Sequence, residues 1–326
     1  MANCRIKFNT EMKTRRTRPN CCLFFKLVAL LTLFWFAGSW AAEERLALKS
    51  AALNVGFTEA AFLHVNRNDV EAAFKVLALT VGRNRGYDLS SENHVIEGAT
   101  AFERALESGE INMAIFDMWT YLSKDFSQLV DPEFVGAESG ETVGNRFVVL
   151  TRKDSGLNSL AGLRNKDFAE LEAASATMGR FWLETLLLKE QLGTHKTFFR
   201  RTESVGKASA AVLPVFFGNK HACLVNMSGF TVMDELNPQV GNRLQIVATS
   251  PVLVDAVICL NRSGWTPDGF KEDLIEALAE LHLEPEGQQI LNLFKAVRLV
   301  QFHASFLDTA RELRMDYEKL HNGSKP

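Results

Sequence analysis

The fold is decided by the stretch from Leu53 to Phe116, which opens with LNVGF (53–57) and closes with INMAIF (111–116). The opening run is typical of a strand that ends in a polar turn. The closing run is continuously apolar, as expected of a strand buried on both faces. Between them, two segments of helical periodicity flank an extended segment over Tyr87–Ile96. This β-α-β-α-β order predicts parallel strands joined by helical crossovers.

The loops after these strands are the first candidates for a binding site. In sheets of this kind, ligands bind at the carboxyl ends of the strands. Phe57-Thr58-Glu59 follows the first strand, and Asp117-Met118-Trp119-Thr120-Tyr121 follows the buried one. We therefore expect these two loops, together with the turn after Ile96, to border the site.

The amino-terminal region has the layout of a secretory signal peptide. An apolar run from Leu27 to Ala37 follows a basic leader, and Ser39 and Ala41 are small residues suited to cleavage after Ala41. The run is shorter than the roughly 20 residues of a membrane span. We expect residues 1–41 to be removed and the remaining chain to be exported; an uncleaved anchor is the alternative.

Composition limits the classes of partner. Of the 36 basic and 39 acidic residues, seven basic and one acidic lie within residues 1–41, so the rest of the chain is clearly acidic. That balance argues against nucleic acid or an anionic membrane surface as a partner, and membrane contact is expected only through another protein. Cys223 and Cys259 lie in apolar runs and are expected to be buried free thiols. The histidines show no metal-ligand spacing, so we expect no metal and no cofactor.

A second lobe is expected to begin near Arg146–Thr151, an apolar strand followed by a turn. In this lobe, Ser175-Ala176-Thr177-Met178-Gly179 precedes a predicted helix, and Ser204 is predicted to cap a helix over Val205–Phe217. The chain has no linker rich in Pro or Gly. We therefore expect it to cross between the lobes on strands, near Arg146–Thr151 and Ser250–Leu260.

The order of elements and the local sequence resemble the phosphate, phosphite and phosphonate substrate-binding proteins of ABC transporters. The matching segments are Leu53–Phe57, Ala105–Ala114 (ALESGEINMA), Lys153–Leu160 (KDSGLNSL), Lys207–Val225 (KASAAVLPVFFGNKHACLV), Glu235–Val240 and Thr249–Pro251. The resemblance implies an α/β, two-lobed type 2 periplasmic binding fold, in which each lobe is a mostly parallel sheet flanked by helices and two crossover strands join the lobes. It implies a lobe 1 of residues 42–147 and 252–326 and a lobe 2 of residues 148–251.

The resemblance also implies a small-oxyanion site in the cleft between the lobes. The anion is expected at the turn before the first long helix of lobe 2, held by Ser175, Thr177 and the amide of Met178. Free N–H groups and the helix dipole attract negative charge at such a turn. The alternative for Thr177 is a plain helix N-cap. Thr58 and Ser204 are expected to close on the ligand from facing positions.

Further side chains are expected to border this cleft, with the aromatic ones as its walls and packing under a lobe edge as their alternative role. They are Phe57, Asp117, Trp119, Tyr121 and Asn226. Phosphonate binders commonly carry a histidine near the second-lobe helix, where this chain has Thr202-Glu203-Ser204. This departure weighs against an aminoalkylphosphonate and makes phosphate, phosphite or another small oxyanion at least as suitable, so the resemblance leaves phosphate, phosphite and phosphonate open as ligands.

Three functions are compatible with the sequence. The favoured one is a periplasmic solute-binding protein, monomeric, that delivers its small oxyanion to an ABC transporter permease. The second is a ligand-sensing subunit that reports to a membrane sensor. The third is an enzyme on the same fold, for which Asp117 and Glu59 offer an acid pair. The chain has no GxSxG motif and both cysteines lie in apolar runs, so we expect no enzyme.

Overall fold

The computed structural model describes residues 47–62, 66–139, 142–173 and 176–323, and its strands form two separate sheets. The strands are β1 (Lys49–Thr58), β2 (Tyr87–Ile96), β3 (Met113–Asp117), β4 (Val130–Ser139), β5 (Thr142–Val143), β6 (Phe147–Arg152), β7 (Asp167–Leu171), β8 (Arg201–Val205), β9 (Ala222–Asn226), β10 (Leu244–Thr249), β11 (Ala256–Asn261) and β12 (Arg298–Gln301). The α-helices are α1 (Arg67–Leu77), α2 (Ala99–Glu107), α3 (Met118–Tyr121), α4 (Thr177–Lys189), α5 (His195–Phe198), α6 (Ala208–Phe216), α7 (Met227–Leu236), α8 (Gln239–Arg243), α9 (Phe270–Ala279), α10 (Pro285–Leu293) and α11 (Asp308–Gly323).

The seven-stranded sheet of lobe 1 has the order β12-β4-β11-β3-β1-β2, with β5 paired to β4. The five-stranded sheet of lobe 2 has the order β10-β6-β9-β7-β8.

The two-lobed α/β fold class is confirmed, with one refinement: both sheets are mixed rather than mostly parallel. Parallel pairing is found between β1 and its neighbours β2 and β3, and between β7 and its neighbours β8 and β9. The strands next to the crossovers, among them β6 and β11, pair antiparallel, because the chain enters and leaves each lobe through them. The lobe boundaries expected at residues 147–148 and 251–252 stay a prediction.

The two crossover segments pair with each other between the lobes. Asn145 and Leu253 form an antiparallel bridge, in which the amide of each donates to the carbonyl of the other at 2.8 and 2.9 Å. One step further, the Ser250 amide donates to the Phe147 carbonyl at 2.8 Å, and the Phe147 amide donates to Ser250 Oγ at 2.8 Å. Both connections therefore pass through one hydrogen-bonded point, which we call the hinge (residues 145–147 and 250–253).

The apolar runs that predicted buried strands form the centres of the sheets. Every residue of β3 and β9 is buried, and so is β6 from Phe147 to Thr151. Helices cover both faces of these strands, which is why their sequences are apolar throughout rather than alternating. Cys223 and Cys259 lie in β9 and β11 as buried free thiols. Within the described residues, no helix is long and apolar enough to span a membrane.

The predicted helix cap at Ser204 is wrong. Ser204 lies in β8, which pairs in parallel with β7, and α6 begins only at Ala208. The Ser204 hydroxyl contacts Glu170 Oε1 at 3.1 Å instead of a helix amide. Pairing with β7 holds residues 201–205 extended, so the local helix signal has no effect before Lys207.

Gly179 allows α4 to lie directly on β6. A Cβ atom at this position would be 2.4 Å from Cδ1 of Phe147, and both residues are buried. We expect Gly179→Ala to lower the free energy of unfolding by about 1–3 kcal/mol, the usual cost of overpacking, although alanine is the better helix former.

The matched control is Gly162→Ala, whose added Cβ would lie 3.6 Å from the exposed Ser159 hydroxyl. Thermal and urea unfolding of the two variants measure the effect. Equal stability of both variants would show that α4 does not depend on this close contact.

Candidate functional site

The carboxyl ends of β1 and β3 meet at the cleft edge of lobe 1. The Asp117 amide donates to Thr58 Oγ1 at 2.8 Å, and both residues are buried. Asp117 Oδ1 accepts from the Thr120 amide at 3.0 Å and so caps the short helix α3. Asp117 Oδ2 is inaccessible to solvent, and none of the described residues lies within hydrogen-bond distance of it. The structure thus brings together two of the predicted site residues and leaves one carboxylate oxygen unpartnered.

The amino terminus of α4 faces this edge from lobe 2. The helix begins at Thr177, and its N-cap position is Ala176, which offers no side-chain acceptor. Thr177 is therefore not the N-cap, which removes the alternative role predicted for it. Its Oγ1 is inaccessible and has no hydrogen-bond partner within the described part of the chain. Ser175, predicted to bind beside it, lies outside the described residues.

Asp255 joins the two edges, and the sequence analysis missed it. It lies at the end of the second crossover, near the backbone amide of Met178 in the first turn of α4, and this amide favours the ionised form of its carboxyl group. Its backbone carbonyl accepts from the Met118 amide at 2.7 Å. Its Oδ1 is inaccessible and, among the described residues, has no hydrogen-bond partner. The signal that could have identified it is a single acid in an otherwise apolar run, VLVDAVICL (252–260).

A second missed carboxylate, Glu138, lies at the hinge. The amide nitrogen Nδ2 of Asn145 donates to Glu138 Oε2 and also contacts Ser228 Oγ at 2.7 Å. Glu138 is on β4 of lobe 1 and Ser228 is in the first turn of α7 of lobe 2, so Asn145 links the lobes through its side chain. The predicted site residue Asn226 precedes α7, is buried, and makes no side-chain cap bond to the helix.

These carboxyl groups share one buried, acidic environment in the cleft. Burial raises the pKa of Asp255 well above its usual range, and the nearby Glu138 and Asp117 carboxylates raise it further, against the opposing Met178 amide. Burial also raises the pKa of Glu138, while hydrogen bonds from Ser228 and Asn145 oppose the shift. No group of three or more His, Cys, Asp or Glu side chains among the described residues is arranged to hold a metal ion. A positive charge placed among these groups would favour their ionised forms.

Of the predicted aromatic walls, Trp119 is the one that reaches the other lobe. Its ring stacks on Phe181 of α4 with centroids 3.5 Å apart, and Tyr317 of α11 packs edge-on at 5.0 Å. The Arg314 guanidinium lies 4.9 Å from the Trp119 ring centre, and its Nη1 donates to the Trp119 carbonyl at 2.9 Å. Both faces of Trp119 are thus engaged by protein, and this ring holds α3, α4 and α11 together.

Tyr121 and Phe57 pack within lobe 1. Tyr121 lies against Phe116, with centroids 5.6 Å apart, and burial raises the pKa of its hydroxyl to about 12. Phe57 is fully buried between the rings of Phe74 and Phe294, each 5.9 Å away. The structure therefore places these two rings in the core, in the alternative packing role considered for the aromatic residues.

Ser204 belongs to a different polar cluster at the edge of the lobe 2 sheet. Its partner Glu170 is buried and also contacts His195 Nε2 at 3.2 Å and Arg180 Nε at 3.4 Å. These contacts hold Glu170 among groups of β8, α4 and α5. No described contact joins Ser204 to Thr177, Asp255 or Asp117.

Comparisons with known proteins identify the family and the fold. The family model described as "ABC transporter, phosphonate, periplasmic substrate-binding protein" matches residues 60–306. No curated protein matches the chain in sequence. Among solved structures, protein XAC2383 from Xanthomonas citri, bound to ATP, is 14% identical with a TM-score of 0.59, and the match covers 84% of this chain and 99% of that one.

Two further solved structures share the fold. The ABC phosphonate transporter binding protein PA3383 from Pseudomonas aeruginosa is 12% identical, with a TM-score of 0.56 over 84% of this chain and 89% of that one. PhnD1 from Prochlorococcus marinus, in complex with methylphosphonate, is 19% identical, with a TM-score of 0.55 over 82% and 98%. Since the family model matches most of the sequence, the chain belongs to the family of periplasmic substrate-binding proteins of phosphonate ABC transporters.

Proposed function

We propose that this chain captures a small phosphorus oxyanion in its interlobe cleft and delivers it to an ABC transporter permease. The observation that carries the proposal is the buried, unpartnered hydroxyl of Thr177 in the first turn of α4. Its family is one of transport binding proteins rather than an enzyme class. The PhnD1 complex supports a phosphorus ligand, since that protein, of the same fold, was solved with methylphosphonate.

The amino terminus of α4 is built to accept an anion. Its first amides have no intrahelical acceptor, and the helix dipole adds positive potential. The Met178 amide lies near the Asp255 carboxyl group and favours its ionised form, so a hydrogen-bond acceptor already lies at this position. A phosphonate oxygen would take that place and would accept a second hydrogen bond from Thr177 Oγ1.

Among phosphorus oxyanions, the three carboxylates favour one that also carries a positive charge. A carboxylate about 5 Å from an oxyanion costs roughly 3 kcal/mol at an effective dielectric constant of 20, and an ammonium group at that distance contributes the same with opposite sign. In their ionised forms Asp117, Glu138 and Asp255 therefore disfavour plain phosphate and phosphite, and an ammonium group bound among them favours those ionised forms. A zwitterion such as an aminoalkylphosphonate places its phosphonate at α4 and its ammonium group at the carboxylates.

We further propose that residues 1–41 are a cleaved signal peptide, that the mature protein is a monomer, and that a permease is its membrane partner. A basic leader, an apolar run and small residues before position 42 support the first point. Mass spectrometry of the protein recovered from the periplasm tests it, since a cleaved chain begins at Ala42.

Removing the Thr177 hydroxyl should weaken ligand binding. We expect Thr177→Val to lose about 10- to 100-fold in affinity for 2-aminoethylphosphonate, because a hydrogen bond to a charged group contributes about 1.5–3 kcal/mol. Isothermal titration calorimetry measures the loss. The matched control is Ser204→Ala, which removes a hydroxyl bound to Glu170 and should leave the affinity unchanged. An unaltered affinity in Thr177→Val would place the anion elsewhere.

The carboxylates should decide which phosphorus compound binds. We expect the native protein to bind 2-aminoethylphosphonate at least tenfold more tightly than methylphosphonate, which lacks the ammonium group. Asp255→Asn should narrow this ratio of affinities. It should weaken the binding of 2-aminoethylphosphonate and not that of methylphosphonate, because asparagine keeps a hydrogen-bond acceptor near the Met178 amide but carries no negative charge. A ratio that does not change in this variant would remove Asp255 from cation recognition.

The same variant should change how stability depends on pH. The pKa of Asp255 is higher in the folded than in the unfolded protein. Its contribution to the free energy of unfolding is therefore fully present below the unfolded pKa, near 4, and is lost as pH rises through the folded pKa. We therefore expect ligand-free Asp255→Asn to melt about 2–4 °C above the native protein at neutral pH, the change that 1 kcal/mol makes in a chain of this size.

This advantage should vanish as pH approaches 4, which differential scanning calorimetry from pH 4 to 8 measures. Asp308→Asn, a change at an exposed helix start, is the control and should show no such gain. A melting difference that is constant over this range would mean that Asp255 ionises as an ordinary aspartate.

A further inference from the structure

A cavity of about 150 Å³ lies inside lobe 1, between one face of the seven-stranded sheet and the helices α1, α9 and α10. Its walls are mainly apolar; those on the sheet include Leu53 and Met113, and those on the helices include Phe74, Leu274 and Ile290. An enclosed apolar cavity of this volume accepts benzene. It is therefore large enough for about six carbon atoms.

The lining of the cavity includes residues of the candidate site. They are Asp117, Glu138 and Asp255. Asp117 is 2% exposed, and its Oδ2 has no hydrogen-bond partner among the described residues. One basic residue, Lys295, also lines the cavity, but its side chain is largely in solvent. An apolar compartment thus continues directly from a group of three carboxylates.

We propose that this cavity binds a hydrocarbon group of about six carbons attached to the ammonium end of the ligand. The proposal rests on the proposed function for the oxyanion end and adds the substrate class: an aminophosphonate whose nitrogen carries an alkyl or arylalkyl group. The phosphonate binds at α4, the ammonium group lies among the three carboxylates, and the hydrocarbon group extends from the nitrogen into the cavity.

The carboxyl groups that line the cavity argue against a fatty acid, a neutral hydrocarbon or water as its ligand. A fatty acid would bring a fourth carboxylate to Asp117, Glu138 and Asp255, which like-charge repulsion disfavours. A neutral hydrocarbon would leave the unpartnered Asp117 oxygen without a hydrogen bond. Water needs two to four polar partners, which the apolar part of the lining does not provide. An ammonium group with a hydrocarbon substituent satisfies both ends of the site.

The test is calorimetric titration with 2-aminoethylphosphonate and its N-methyl, N-propyl, N-hexyl and N-decyl derivatives, with hexylamine as a probe that has no phosphorus. Each buried methylene should tighten binding by up to about fourfold. We expect affinity to rise along the series to N-hexyl and then to stop rising, because a decyl chain exceeds the cavity.

Two cavity-filling variants test where the chain binds. Ala61→Leu and Leu278→Phe each enlarge a buried residue that lines the cavity, from opposite sides. A folded variant should bind unsubstituted 2-aminoethylphosphonate with the affinity of the native protein. It should lose the higher affinity for the N-hexyl derivative. Circular dichroism and melting temperature show whether each variant folds, and one folded variant is enough.

The outcomes separate this inference from the proposed function. If 2-aminoethylphosphonate binds and its N-hexyl derivative binds no more tightly, the cavity is not a ligand site and the proposed function stands. The same conclusion follows if the N-hexyl derivative still binds more tightly than 2-aminoethylphosphonate in the folded cavity-filling variants. If no phosphonate binds but hexylamine does, and filling the cavity abolishes this, the cavity inference stands and the phosphorus ligand is wrong. If none of the probes binds, both are overturned.

Discussion

The rest of the structure depends on the pairing of Asn145 with Leu253, where the two crossover segments meet. Two connections between the lobes would define two separate pivots if they were free. Their backbone hydrogen bonds make them one, so the lobes share a single hinge. The Asn145 side chain extends the same junction to Glu138 of lobe 1 and Ser228 of lobe 2. Glu138 therefore belongs both to the hinge and to the group of carboxyl side chains at the cleft.

Much of the fold could be predicted because its central strands have a simple physical signature. β3 and β9 are buried on both faces, and such strands are apolar at every position. The strand β4 carries Pro132 and several polar residues, and β12 is four residues long, so neither has that signature. For β8 the sequence predicts the wrong element. Its residues resemble a helix start, and only pairing with β7 makes them extended.

The site could be predicted where it follows from strand ends and not where it depends on long-range pairing. Thr58 and Asp117 end two parallel strands, and the sheet rule places such residues at the cleft edge. Asp255 and Glu138 reach the same place from the return crossover and from β4. A single acid in an apolar run marks Asp255 in the sequence, but no local pattern places either side chain at the cleft. Phe57 illustrates a further limit: an aromatic ring at a strand end has the same local sequence whether it faces a ligand or a helix layer.

The strand order of lobe 1 also fixes the sequence in which the exported chain can complete its fold. β11 lies between β3 and β4, yet it follows the whole of the lobe 2 sheet in the chain. During translocation with the amino end first, β3 and β4 expose unpaired edges until residues 256–261 emerge, and such edges promote aggregation. The lobe 2 sheet is contiguous and closes once residue 249 has emerged. Lobe 1 is therefore the sheet that is completed last. Even lobe 2 gains the cover of its helix α4 only when α11, which packs on it through Tyr317 and Asp316, has emerged.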